Sequence, residues 1–254
     1  MYNDMFKIGS VTIHGYGLMI GIGILCALLV AVKRTKKRNL DVDIVYNLGF
    51  WALVFGFIGA KLLYCIIEIH TFLNDPIQIL SASGFVVYGG IIGGILAAVI
   101  YCKFKKVSFL QYFDLIAPSV ALAQGFGRIG CFLAGCCYGR ETDSFIGVVF
   151  HNSTNAPNGV KLIPTQLFSS AGDFSLALIL ILYARKVRNK GRVGALYLIL
   201  YSVGRFIIEF FRNDYRGSIG VISTSQFISL IILVIGIIMF FINKLPWINK
   251  ERVN

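Results

Sequence analysis

The sequence predicts an all-α, polytopic membrane protein with seven transmembrane helices, the N-terminus outside, the C-terminus cytoplasmic and a small head on the outer face. Three observations predict it. Charged residues make up 14% of the 254 residues, where a soluble domain carries about 25%. The chain is 57% hydrophobic with a mean hydropathy of +0.76, which excludes disorder and an ordinary cytosolic enzyme. Apolar runs of bilayer-crossing length alternate with short connections, many of them basic.

Seven runs have that length: 11–32, 45–67, 85–101, 112–133, 167–184, 193–211 and 219–242. None alternates with a period of two, so barrel strands are excluded. In hydrocarbon the backbone must satisfy itself, and a helix does so. The first run is too long for the apolar part of a signal peptide, and no small-residue cleavage pattern follows it. The second carries Lys61 directly after Gly59-Ala60. The third contains Tyr88-Gly89-Gly90-Ile91-Ile92-Gly93-Gly94, preceded by Ser81-Ala82-Ser83-Gly84, a small-residue face for close helix packing. The fourth holds Arg128 in Gly127-Arg128-Ile129-Gly130, where small neighbours leave room for a ligand. Residues 134–166, rich in Gly, Asn, Pro and Thr, form the head, and 1–254 is expected to be one integral-membrane domain. The sixth run carries Arg205 and Glu209, and the seventh leads into a basic tail.

Basic residues set the orientation. With the N-terminus outside, 16 of the 24 Lys and Arg fall in the inner connections and five in the outer ones. That split favours N-outside and an odd number of spans. The net charge of +12 is therefore a topology signal, and no nucleic-acid partner is expected.

Charges inside apolar runs cost about 2.5–3.5 kcal/mol on insertion scales and usually face a cavity. Lys61, Arg128, Arg205 and Glu209 are of this kind. Continued as one helix, Tyr201, Arg205, Glu209 and Arg212 lie within about 80° of one another at 100° per residue. One acid cannot neutralise two arginines, so an anion from elsewhere is the expected partner. A planar guanidinium suits a phosphate. Cys131, Cys136 and Cys137 lack paired metal-ligand spacing and a nearby His, so no metal and no cofactor are expected. Ser218 has no Ser-His constellation around it, which argues against a serine hydrolase.

Six segments together resemble the prolipoprotein diacylglyceryl transferase family. They are His14-Gly15-Tyr16-Gly17-Leu18-Met19, Gly59-Ala60-Lys61-Leu62-Leu63-Tyr64, the Tyr88–Gly94 segment, the run from Gly127 through Cys131, Cys136 and Cys137 to Gly139, Pro164-Thr165-Gln166-Leu167-Phe168, and the run from Gly204 to Arg212. They occur in family order over nearly the whole chain. The resemblance implies transfer of the diacylglyceryl group of phosphatidylglycerol to the lipobox cysteine thiol of a secreted prolipoprotein, with glycerol-1-phosphate leaving, at the bacterial plasma membrane. It implies Arg128, Arg205, Glu209 and Tyr88 as catalytic. It implies Tyr16, Lys61, Gly89, Gly90, Gly139, Gln166, Tyr201 and Arg212 as substrate-binding.

The chain also departs from the family pattern. Tyr88 stands where the family has His, and Gly130-Cys131-Phe132-Leu133-Ala134-Gly135-Cys136 where it has Gly-Asn-Phe-x-Asn-Gly-Glu. Ile163 and Ser169 replace a His and a Glu beside the Pro-x-Gln segment. The phosphate-handling residues match and those that would activate the acceptor do not. Two alternatives stay open: a different acceptor on the same fold and donor, or a transporter of anionic solutes.

Overall fold

A computed structural model describes residues 4–8, 11–81, 84–187, 189–214 and 217–242. In chain order the elements are β1 (Asp4–Ile8), β2 (Val11–His14), α1 (Gly15–Lys37), α2 (Val42–Ile67), α3 (Ile69–Asn74), α4 (Pro76–Ser81), α5 (Val87–Phe104) and α6 (Phe109–Ala134). They continue as β3 (Val148–Val149), β4 (Lys161–Leu162), α7 (Thr165–Lys186), α8 (Arg192–Glu209), β5 (Ser218–Ile219), β6 (Ile222–Ser223) and α9 (Thr224–Ile242).

Each predicted span coincides with a helix. Six of them, α1, α2, α5, α6, α7 and α9, are long and apolar enough to cross a membrane. The other, α8, has 18 residues but carries Arg192, Arg205 and Glu209. Large apolar side chains such as Leu29, Phe57, Ile92 and Val234 are more than half exposed. Side chains of this kind belong in hydrocarbon, and the chain is an all-α, multi-pass membrane protein.

Some boundaries differ from the sequence reading. Residues 11–14 are strand, because the β-branched Val11, Thr12 and Ile13 pair antiparallel with β1. Residues 219–223 belong to the β5–β6 hairpin, which turns through Gly220 at φ 62°. The helices α3 and α4 were not foreseen; Pro76 opens the second, where a missing N–H costs nothing. Ala82, Ser83, Arg188, Arg216 and the tail cations Lys244, Lys250 and Arg252 lie outside the described residues.

The chain divides into two compact units, Val32–Tyr112 and the remainder. In the first, Asp41 Oδ1 accepts the Asp43 N–H at 2.8 Å and caps α2. Backbone meets backbone where α2 packs on α5. A Cβ at Gly59 would strike the Gly89 carbonyl, one at Gly89 the Gly59 carbonyl, and one at Gly93 the Phe55 carbonyl. The small-residue face is thus used for close helix approach.

The second unit builds its core from α6, α7 and α8. Ala117, Ala121, Leu176, Leu180, Ala184, Val193 and Tyr197 form one buried cluster. Asp114 of α6 anchors the start of α8, accepting the Gly191 and Gly194 N–H groups at 2.5 and 2.7 Å. An acid there satisfies orphan amides and complements the helix dipole. Residues 134–166 hold β3 and β4 over a small core of Phe150, Ala156 and Leu162, against which the Phe132 ring packs at 5.8 Å.

Candidate active site

A cavity of about 290 Å³ is bounded by α6, α7 and α8. Its walls are mainly apolar, with Phe168, Leu176, Ile179, Leu200, Ile207 and Ile208. Into this apolar space project Arg128 from α6, Asp173 from α7, and Tyr201 and Arg205 from α8. Two predicted arginines thus meet one cavity from two helices.

Each arginine is held differently. Arg205 Nη2 donates to Ser225 Oγ of α9 at 2.9 Å and lies 2.8 Å from Glu209 Oε2 one turn along α8. The pair is shielded, with 11% and 8% of the side chains exposed. Its geometry is a charge contact rather than an aligned hydrogen bond, because Glu209 Oε2 lacks a hydrogen-bond partner among the described residues. Arg205 Nη1 is likewise buried and unpartnered. Arg128 makes no hydrogen bond or ion pair among the described residues; Tyr201, Asp173 and the sulfurs of Cys131 and Cys137 supply its electrostatic surroundings. Tyr201 is stacked on Tyr197 at 5.7 Å, and Tyr197 donates its hydroxyl to Gln124 Oε1 at 3.0 Å. Tyr16 packs at Gly130, two residues from Arg128.

Arg212 departs from the expected face of α8. The helix ends at Glu209, and Phe211 and Arg212 continue in tight turns, donating to Ile208 O and Glu209 O at 3.1 and 3.3 Å. Arg212 is buried and forms a two-pronged ion pair with Asp214, Nε to Oδ1 at 2.9 Å and Nη2 to Oδ2 at 2.7 Å. Burial alone would lower its pKa; the hydrogen bonds to Asp214 outweigh that and hold it above the ordinary guanidinium range. For Arg212 the expectation of an anion from elsewhere is therefore corrected: the chain's own Asp214 serves it, and Asp173 faces Arg128 and Arg205.

Gly139 is the backbone junction beside this pair. Its N–H donates to Ile163 O at 3.0 Å, it bridges to Arg212, and a Cβ would collide with the Ile163 and Phe211 carbonyls. Gln166 and Thr165 open α7 and hold the cysteine loop from behind. Gln166 Nε2 donates to Cys136 O and Thr165 Oγ1 to Cys137 O, both at 2.7 Å. The fold also brings the sulfurs of Cys131, Cys136 and Cys137 within 4.8 Å of one another, which their spacing did not suggest. Contact with Cys131 first, then Cys137 and burial, holds the Cys136 thiol above its ordinary pKa.

Lys61, Tyr88, Gly89 and Gly90 belong to the other unit. Lys61 Nζ sits over the Tyr64 and Phe85 rings at 5.3 and 5.1 Å, a cation–π arrangement that shelters the charge. Tyr88 lies partly exposed in the first turn of α5. Gly89 and Gly90 take part in the α2–α5 packing. Sequence reasoning missed Asp173, although it is an acid inside an apolar run, the same signal that singled out Arg128. It also missed Asp214 and Ser225, which carry no such signal and meet their arginines only through the fold.

Known proteins match this chain over almost its full length. A family model described as prolipoprotein diacylglyceryl transferase matches residues 3–242. A phosphatidylglycerol–prolipoprotein diacylglyceryl transferase of Clostridium tetani is 50% identical over 242 residues, covering 94% of this chain and 97% of the relative. A second such transferase of Clostridium perfringens is 49% identical over 241 residues, covering 94% of each. One of Staphylococcus xylosus is 32% identical, covering 95% of this chain and 89% of the relative.

Proposed function

The chain belongs to the prolipoprotein diacylglyceryl transferase family, and we propose from that premise that it moves the diacylglyceryl group of phosphatidylglycerol onto the lipobox cysteine thiol of a prolipoprotein, releasing glycerol-1-phosphate. The reaction belongs at the outer surface of a bacterial plasma membrane. The protein sits there as a seven-span domain with the N-terminus and residues 134–166 outside, the orientation supported by its basic connections. No nucleic acid takes part.

One observation carries this reading. Two guanidinium groups from different helices enter an apolar cavity, and one of them, Arg205, keeps a buried Nη1 with no partner among the described residues. A buried donor left unpaired costs about 1–3 kcal/mol or more, and a phosphate oxygen removes that cost. Arg128 and Arg205 clamp the donor phosphodiester and stabilise the charge that grows as the leaving phosphate departs. Glu209 and Ser225 orient Arg205, Asp173 balances the charge between the two arginines, and Tyr16 and Tyr201 flank the headgroup. The family resemblance assigns Tyr88 to catalysis and Lys61, Gly89 and Gly90 to substrate binding. Gly139 and the Arg212–Asp214 pair support the rim, and Gln166 supports the cysteine loop.

The test supplies purified protein with phosphatidylglycerol and a lipobox peptide. Mass spectrometry of the peptide should show the added diacylglyceryl thioether, and glycerol-1-phosphate should appear in equal amount. Glycerol-1-phosphate without a modified peptide would point to another acceptor; neither product would remove the transferase assignment.

A further inference from the structure

We propose that Cys131, Cys136 and Cys137 form a three-thiolate site for a zinc ion whose fourth position is open to the acceptor thiol. The three sulfurs already lie within 4.8 Å of one another. Zinc–sulfur bonds of about 2.3 Å in tetrahedral geometry need sulfurs about 3.8 Å apart, so closure asks for roughly an ångström of side-chain movement. Zinc sites with three protein ligands and one free position are the catalytic kind.

The backbone is built to bring these sulfurs together. Cys131 is in the last turn of α6, and Gly135 leaves the helix at φ 69°. Cys137 is held at φ 63°, a left-handed conformation that a residue with a Cβ adopts at a cost of about 1–2 kcal/mol. Thr165 and Gln166 pin the carbonyls of Cys137 and Cys136. The charge also fits. Zinc with three thiolates carries a net charge of −1, and Cys137 faces both Arg128 and Arg212, while Cys131 faces Arg128. The left-handed backbone at Cys137, directly after Cys136, accompanies the convergence of the sulfurs without a paired-motif spacing.

The role in catalysis rests on the transferase reading. This chain lacks the His, Asn and Glu that the family resemblance leads one to expect, and its acceptor is a thiol. A thiol bound to zinc is deprotonated outright. The acceptor gives its proton to the medium on binding. Its sulfur lone pair then forms a bond to the glyceryl carbon, while the bond from that carbon to the phosphate oxygen breaks and its electron pair leaves with glycerol-1-phosphate. The released proton balances the added charge on the phosphate, and nothing is oxidised or reduced. The thioether product is a weak ligand and departs.

The full-length protein is purified in detergent with reductant, stripped of metal, and titrated with Zn²⁺ and separately with Co²⁺. One zinc per chain should bind, and Co²⁺ should give the thiolate charge-transfer bands and strong visible absorption of a four-coordinate site. Cys131→Ser, Cys136→Ser and Cys137→Ser should each weaken these bands at unchanged melting temperature, while a Cys26→Ser, Cys65→Ser, Cys102→Ser control keeps them. A lipobox peptide should shift the cobalt spectrum and its Cys→Ala form should not. The metal-free protein should lipidate the peptide at least about 100-fold more slowly, the scale of a lost general base. Failure to bind metal, or a disulfide among the three cysteines in place of it, overturns the site. Equal turnover with and without metal overturns its part in the reaction. A cobalt spectrum that forms normally in a protein with no turnover under any condition overturns the transferase reading and leaves the metal site standing.

Discussion

Arg205 uses one terminal nitrogen for both Ser225 and Glu209 and leaves the other buried and, among the described residues, unpaired. A lysine in its place keeps the charge but has a single nitrogen, so it holds either the protein contacts or the ligand. Arg128→Lys and Arg205→Lys should therefore each reduce phosphatidylglycerol turnover about 100- to 1000-fold, the loss typical of one transition-state donor, with little change in melting temperature. Near-normal turnover in both would assign the arginines a structural role. Glu209→Gln should lower turnover as well, since Arg205 is then free to swing away from the cavity. Arg212 behaves in the opposite manner. Its partner Asp214 completes a buried two-pronged pair, so Asp214→Asn strands a buried cation and should destabilise the protein by about 3–5 kcal/mol. A thermal melt checks this, and an unshifted midpoint would show that the pair contributes nothing to stability.

Helix termini and helix contacts decide where these residues stand. The α8 N-terminus is fixed by Asp114, and α8 then carries Tyr201 and Arg205 to the cavity on successive turns. Asp114→Ala removes the acceptor for two amides and should cost about 1–2 kcal/mol, measured as a lower unfolding midpoint. In the other unit the α2–α5 contact depends on the absence of side chains. Gly89→Val places atoms where the Gly59 carbonyl and Leu63 lie, and the helices must separate. That variant should yield little monodisperse protein, whereas Gly21→Ala, which meets nothing within 4 Å, should behave as wild type. Equal yields would show that the close packing is dispensable.

At the scale of the whole molecule, the distribution of Lys and Arg makes a topological prediction. A cysteine introduced within 143–158 should react with an impermeant thiol reagent added to intact cells, and one at Asn189 should react only after lysis. The reverse pattern would put residues 134–166 on the cytoplasmic side and remove the outer-surface reaction with it.

The membrane class, the position of every long helix and the arginines that meet in the cavity were legible in the sequence. Apolar run length and intramembrane charge are local properties that the bilayer itself enforces. The chain's own counter-charges were not. Asp214 closes on Arg212 only because α8 stops at Glu209, and Asp173 faces Arg128 only because α7 packs against α6. The same holds for the three cysteines. Their separation in sequence matches no metal motif, and a helix end followed by a left-handed turn sets their sulfurs side by side. Which polar groups meet depends on where helices end and how they pack, and those outcomes are fixed by contacts between residues distant in the chain. Tertiary structure alone decides them.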